Sequence, residues 1–326
     1  MKKLLILFCL IVCLHAQGQL KTDLMDRLYD RLHKSSSYIP EKLLSTRTAV
    51  FYEGNFTGRE FNLIQAEFQR MGLDAVVYYH VELLFAGKDI ESGLSEYLNS
   101  RDINQLVLIK KSEDNFHLAV AEYNRSRTWF NQSASAWYAH SANLIEVLRG
   151  LYRESWSQQK KQNFLVNDSP EFDLPFSSFR GRRSEFYAID LRVDRLAVPL
   201  VLDSLSLAEL MLKYPYKFAL TEREWNTNKL RQEGYLYELG YIYARGNTAR
   251  AMLGYEIKAG ETGFVSVSFQ NGQSQLKTFA ADIPVYKFYV KHVVNGNVFL
   301  GTQWDADPDW QKALENHIEA IKTSLK

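Results

Sequence analysis

The sequence is poorest in cysteine. Its 326 residues hold two, Cys9 and Cys13, and both lie inside one apolar run at the N-terminus. Without that run the chain has no thiol, which excludes disulfides, thiolate metal sites, iron–sulfur clusters and a cysteine nucleophile. Proline is sparse at 7 residues, so the composition is not that of a disordered linker. Also absent are G-x-S-x-G, H-E-x-x-H, a Walker loop and G-x-G-x-x-G, the local signatures of the commonest hydrolase, zincin and nucleotide sites. Charge of one sign is lacking too, with 39 basic against 38 acidic residues. A near-neutral chain has no basic excess with which to neutralise phosphates, so a general nucleic-acid binder is not expected.

The one long apolar run, residues 4–14, follows Lys2 and Lys3 and precedes Ala16-Gln17-Gly18. A short positive segment, an apolar stretch and small residues at the cut are the three parts of a cleaved export signal, here residues 1–18. Cleavage after Gly18 would leave Gln19 first; cleavage after Ala16 is the alternative. The run is too short for an anchor, so no transmembrane segment is expected in the mature chain. Val12 stands before Cys13 where a lipoprotein signal has a small residue, which argues against a lipid anchor. The expected location is periplasmic or secreted. Removing 18 residues leaves 308, with 37 basic and 38 acidic, enough for two ordinary domains.

The periodicity predicts an α/β chain with a mixed α+β second half. An amphipathic segment at residues 24–32 leads into an N-terminal unit, residues 19–165. It comprises a strand at 48–52, a helix opened by the capping box Thr57 and Glu60 and ended by Gly72, a strand at 75–84, a helix at 89–99 and a strand at 105–110. That alternation favours a partly parallel sheet with crossover helices. Residues 116–123 and 127–130 read as added antiparallel strands, and residues 135–153 as a long helix. Residues 166–185, with two prolines, several serines and Arg180, Arg182 and Arg183, read as a linker that is either solvated or able to meet an anionic surface.

The C-terminal unit, residues 186–326, opens with strands at 186–202, with Pro199 at an edge or bulge. Helices are expected at the boxes Ser206 with Glu209 and Thr221 with Glu224. Tyr235, Tyr237, Leu239, Tyr241 and Tyr243 alternate as a strand does, giving either core packing or an aromatic platform. Asn271-Gly272 and Asn295-Gly296 signal hairpins, hence an antiparallel meander. A closing helix carries Trp310, Leu314, Ile318, Ile321 and Leu325 on one stripe. Trp137 and Trp310 each precede aliphatics at +8 and +11 (Ile145, Leu148; Ile318, Ile321). The two units are therefore candidates for a duplication, which requires one strand order in residues 48–153 and 186–325.

Chemistry-bearing patterns are few. Two S-x-x-K matches, at Ser157 and Ser274, lack the elements that accompany that motif in a catalytic site. His80 and Glu82 would share a strand face without a third metal ligand. Asp305, Asp307 and Asp309 have the first three spacings of a calcium loop, but Trp310 and Asn316 replace its Gly and Glu, so the expected role is a helix start with Asp307 as N-cap. No metal or cofactor is expected.

The sharpest candidate site lies at the carboxyl edge of the parallel strands, where open α/β sheets bind ligands. Asn55, Thr57 and Arg59 follow the first strand, Lys88 the second, and Lys110 and Lys111 end the third. Small residues, helix N-termini and cations at one edge would suit an anion. The resulting expectation is a non-catalytic exported protein of the bacterial envelope that binds a protein partner or an anionic ligand. The alternative is a hydrolase of glycan or peptidoglycan using a carboxylate pair among Glu222, Glu224, Asp305 and Asp307.

Overall fold

The computed structural model describes residues 23–258, 260–270 and 273–326. The expected export signal with both cysteines, and the Asn271-Gly272 turn, lie outside the described residues. The chain is α/β, and its second half carries an antiparallel meander and a closing helix.

In chain order the first half forms α1 (Leu24–Tyr29), β1 (His33–Ser35), β2 (Arg47–Glu53), α2 (Gly58–Met71), β3 (Asp74–His80), α3 (Lys88–Ser100), β4 (Ile103–Lys111), β5 (Phe116–Glu122), β6 (Ser135–Ser141) and α4 (Leu144–Gln158). Then come β7 (Glu171–Phe172), β8 (Arg183–Ser184), β9 (Leu196–Pro199), α5 (Ser204–Met211), β10 (Phe218–Thr221), α6 (Thr227–Gln232), β11 (Tyr237–Arg245), α7 (Gly246–Met252), β12 (Gly263–Gln270), β13 (Gln273–Ala280), β14 (Pro284–His292), β15 (Val298–Phe299) and α8 (Trp310–Ser324). No described helix is long and apolar enough to cross a membrane.

Local chemistry explains the elements read correctly. Thr57 Oγ1 accepts from Glu60 N while Glu60 returns a bond to Thr57 N, and α2 ends on Gly72 at φ 88°, which relieves the steric cost of a left-handed residue. Other boundaries differ from the sequence pattern. The strand expected at 75–84 ends at His80, because His80 Nδ1 accepts from Glu82 N and turns Val81–Phe85 into a 3-10 helix. Residues 127–130 form a turn, with Trp129 at φ 67°. The helix expected from 135 is strand β6 first, and α4 starts after Asn143, whose side chain accepts from Ile145 N. The strands expected at 186–202 reduce to β9, after a 3-10 helix at Ile189–Arg192. Asp203 and Asn226 cap α5 and α6 in place of Ser206 and Thr221, and Thr221 ends β10. Asp309, not Asp307, caps α8.

The two sheets repeat one topology. The first is ordered β1-β6-β5-β4-β2-β3, with β7 added beyond β3; the second is β8-β15-β14-β11-β9-β10. In both, the fifth-listed strand is parallel to its two neighbours: β2 is parallel to β3 and β4, β9 is parallel to β10 and β11, and the meander that follows is antiparallel. The edge pairs β1 with β6 and β8 with β15 are again parallel. Register agrees as well. Ala49 sits between Val77 and Leu106 as Ala197 sits between Ala219 and Glu238, and Val120 lies between Val107 and Trp137 as Val290 lies between Leu239 and Phe299. The strand orders thus meet the condition a duplication imposes. The second repeat differs by α7 and the β12–β13 hairpin, inserted between β11 and β14.

Each sheet has an outer face under its own helices. Val50, Tyr78, Val107, Val120 and Trp137 pack with Ile64 and Phe68 of α2 and Leu148 and Leu151 of α4. Leu196, Val198, Tyr237, Leu239 and Val290 pack with Leu207 and Met211 of α5 and Leu314 and Ile318 of α8, which puts Tyr237 and Leu239 of the alternating row in the core. The inner faces share one core: Phe51, Val77, Leu106 and Leu108 of the first sheet cluster with Ile242, Ala244, Val285 and Tyr289 of the second. Residues 166–185 run between the sheets and place a short strand on each, β7 on β3 and β8 on β15.

The seam is closed by backbone as well as side chains. Tyr243 N donates to Ala86 O at 3.0 Å. Gly87, at φ 112°, passes so near β11 that a Cβ would lie 2.5 Å from Tyr241 O. Gly87→Ala is therefore expected to destabilise the protein by at least about 1–3 kcal/mol from backbone strain alone. Urea denaturation should show one transition shifted as a whole, since both repeats bury the same core. Two transitions, only one of them moved, would show that the repeats unfold separately.

Candidate functional site

The carboxyl edge of the first sheet brings part of the expected anion site together. Asn55, Thr57 and Lys111 share one loop region: Lys111 Nζ donates to Asn55 O at 3.0 Å and to Glu60 Oε1 at 2.7 Å. Gly54, at φ 104°, allows the contact, because a Cβ there would lie 2.3 Å from Lys111 O. Partial burial alone would raise Glu60, but hydrogen bonds from Lys111 and Thr57 outweigh it and its pKa is lowered. Arg59 stands exposed in the first turn of α2, without an ion pair among the described residues.

The other two cations point elsewhere. Lys110 alternates to the inner face and meets Asp23 at 2.7 Å and Asp26 at 2.8 Å; burial would lower its pKa, and these carboxylates raise it instead. Lys88, at the start of α3, reaches the second repeat, with Glu238 at 2.7 Å and Trp225 O at 2.7 Å. Its surroundings form an ion-paired network at the seam, since Lys291 bridges Glu238 at 3.1 Å and Asp89 at 2.5 Å. An adjoining cavity of about 20 Å³, lined in part by Lys88, Gly240 and Tyr289, has room for about one water.

The end of β3 is occupied by the protein itself. Glu82, buried at 5% exposure, accepts from Arg245 N at 2.9 Å, Arg245 Nε at 2.8 Å and Thr248 Oγ1 at 2.8 Å. Asp173 accepts from His80 N at 3.0 Å and from the Tyr52 hydroxyl. Burial lowers the pKa of His80, with Glu82 acting in the opposite sense. His80 and Glu82 thus serve the contact between repeats, and no group of three or more metal-capable side chains occurs among the described residues.

The acidic loop before α8 separates its three carboxylates. Asp309 caps Gln311 N, and Asp307 accepts from Asp309 N while facing Lys277 at 3.3 Å. Asp305 turns inward to Lys287 Nζ at 2.6 Å and His317 Nδ1 at 3.5 Å, and all three side chains are at most 1% exposed. Tyr187 OH lies 3.2 Å from His317 Nδ1. Of the carboxylates named for a hydrolase, Asp305 is enclosed, whereas Glu222 and Glu224 lie on the surface, Glu224 paired with Arg127.

A concave surface that strand-and-loop reasoning missed lies on the outer helical layer. Arg70 of α2 and Glu146, Arg149, Tyr152 and Arg153 of α4 line an open groove of about 480 Å³. The Arg70 guanidinium lies 4.6 Å from the Tyr152 ring centroid, and Tyr152 packs against Trp156 at 5.1 Å. Glu67 pairs with Arg70 at 2.7 Å and Glu146 accepts from Ser141 Oγ at 2.7 Å, while Arg149 and Arg153 have no ion pair among the described residues. The available signal was the i, i+4 spacing of Arg149 and Arg153 on the face opposite Leu144, Leu148 and Leu151. Arg70 joins them only through the packing of α2 on α4. No protein-family model matches the chain, and no curated protein matches it in sequence.

The enclosed Lys287–Asp305–His317 group makes two measurable differences. Lys287→Met would strand a buried carboxylate and is expected to cost about 3–5 kcal/mol. Adding Asp305→Leu should recover most of that in thermal denaturation. Burial lowers His317 from 6.5, and for Asp305 the effect of burial is outweighed by Lys287 and His317, which lower it from 3.8. Both folded values lie below the unfolded ones, so this stability is present above pH 6.5 for the histidine and above 3.8 for the aspartate, and is lost as pH falls through the folded values. The melting temperature should therefore fall on acidification from pH 7. A flat profile from neutral to acid pH would contradict the assignment.

Proposed function

We propose that this chain is a non-catalytic, exported envelope protein that binds a phosphate- or carboxylate-bearing ligand at the groove of Arg70, Arg149 and Arg153. The observation that carries the reading is the contrast among its cations. Lys88, Lys110 and Lys111 are held by carboxylates, whereas Arg149 and Arg153 face an open groove of about 480 Å³ without such partners among the described residues. Guanidinium groups offer paired donors that match a carboxylate or phosphate. Arg70, paired with Glu67 and stacked on Tyr152, forms the fixed wall of the groove beside the guanidinium groups of Arg149 and Arg153. The N-terminal pattern of Lys2, Lys3 and the apolar run supports export.

The test is retention on two immobilised probes, polyphosphate and poly-glutamate, at increasing salt. Arg149→Glu with Arg153→Glu should weaken binding to the preferred probe by roughly tenfold or more, about 1.4 kcal/mol per decade, and salt should weaken the unmodified protein. Arg59→Glu should leave binding unchanged. Loss with Arg59→Glu alone would return the site to the sheet edge at Asn55, Thr57 and Arg59, and retention of neither probe would remove the anion reading.

A further inference from the structure

The repeats treat one equivalent edge differently. In the first sheet the edge strand β3 is covered by β7, with Tyr78 opposite Phe172 in register and their rings stacked at 4.6 Å. Tyr78 is fully buried in consequence. Asn167, on the approach to β7, accepts from Gln65 at 2.7 Å and Gln69 at 3.2 Å on α2. In the second sheet the equivalent edge is β10, and among the described residues no strand pairs with its outer side. Leu220 holds the register position of Tyr78, since Val198 faces Leu220 as Val50 faces Tyr78, and it is 39% exposed. Matching the buried pair Leu207 and Met211 to Ile64 and Phe68 puts Leu212 in the place of Gln69, and Leu212 is 78% exposed. Where the first repeat has glutamines bonded to a covering segment, the second has a bare leucine.

We infer that the free edge of β10 pairs with β10 of a second copy of this chain, antiparallel about a twofold axis through Ala219. The backbone selects the geometry. Leu196 N donates to Lys217 O and Leu200 N to Thr221 O, each at 3.0 Å, so the odd-numbered residues of β10 turn to β9 and Phe218 and Leu220 turn outward. A twofold axis normal to the sheet requires partners on the same face, hence a register centred on a residue. Centred on Ala219, Phe218 lies opposite Leu220 of the second copy and Leu220 opposite its Phe218. These are the outward-turned residues that exchange N–H and C=O bonds, and their side chains share the outer face on which Leu212 is exposed. Centred on Leu220, Lys217 would oppose Arg223 of the second copy, a like-charge pair that disfavours that register. The result joins two six-stranded sheets into one and covers Leu220 as Phe172 covers Tyr78.

Sedimentation velocity on the full chain carrying Cys9→Ser and Cys13→Ser should report a dimer at micromolar concentration. Leu220→Lys, at a half-exposed position, should give a monomer with an unchanged circular dichroism spectrum. Ala219→Cys should cross-link on mild oxidation, because Cα atoms of a directly opposed non-hydrogen-bonded pair lie about 4.5 Å apart, inside the disulfide range. Thr227→Cys, on exposed α6, should not cross-link. A monomeric parent overturns the inference. So does a dimer that Leu220→Lys leaves intact and Ala219→Cys fails to trap, since its interface would lie elsewhere.

Discussion

The structure depends on one constraint: each repeat is a sheet with two apolar faces, and only the outer one is buried wholly within its own repeat. The outer faces are roofed locally, by α2 and α4 in the first repeat and by α5 and α8 in the second. The inner faces share one cluster, to which α3 contributes Ile90, Leu94 and Leu98 and α7 contributes Ala249 and Met252. Burying a large aliphatic or aromatic side chain contributes about 1.5–3 kcal/mol, and residues such as Phe51, Leu108, Ile242 and Tyr289 reach full burial in the shared cluster. Neither repeat could leave that face in water without exposing a patch larger than soluble proteins tolerate. The inner layer also takes in α1 through Met25 and Leu28 and the base of the inserted hairpin through Phe264. These additions plug the ends of the seam.

An apolar contact between two repeats has little to specify its register, and the second repeat supplies what is missing. Register equivalence puts Glu238 where the first repeat has Leu106, and Lys291 where it has Ala121. Glu238 and Lys291 are the charges that engage Lys88 and Asp89 at the start of α3. Replacing such a network by apolar side chains is often neutral for stability, whereas breaking one member is not. Its effect is therefore on which faces meet and how. The same logic holds for Glu82, which spends three hydrogen bonds on Arg245 and Thr248 of the other repeat. Lys88 looks like an anion ligand in the sequence and is a seam residue in the fold, because the residue that neutralises it lies 150 positions away.

Elements set by local chemistry were legible in the sequence. The Thr57–Glu60 box, the Gly72 stop, the strands around 50 and 107 and the stripe of α8 follow from caps and periodicity that any isolated segment would show. The repeated topology was not legible from the tryptophans: Trp137 lies on β6, where Phe299 is its register counterpart, whereas Trp310 opens α8. What failed were segments whose state is decided by distant neighbours. Residues 135–141 carry helix-compatible alanines, yet Ala136 and Ala139 alternate across a sheet because β5 is there to pair with them. Capping boxes at Ser206 and Thr221 lost to Asp203 and Asn226, because Ser206 already lies in the first turn of the helix that Asp203 opens and Thr221 still belongs to β10. The basic groove was hidden for a related reason. It is assembled from two helices some eighty residues apart, and neither half of it is a motif.

Open α/β sheets bind ligands where the strand order reverses, beside the carboxyl ends of the parallel strands. Here that crevice is filled by the protein's own side chains. Beyond β2 the Thr57–Glu60–Lys111 set closes the loop on itself, beyond β3 Asp173 and Arg245 fill the space around Tyr52 and His80, and the cation that would serve a ligand at β4 faces Asp23 and Asp26. A fold whose usual site is closed by its own side chains keeps its outward surfaces for recognition, the helical layers and the sheet margins. On such surfaces the two repeats are no longer equivalent. The first has the arginine groove and a covered edge; the second has exposed leucines and an edge that no described strand covers. The two sheets share one strand order, and the differences between equivalent positions are where separate binding roles have room to arise.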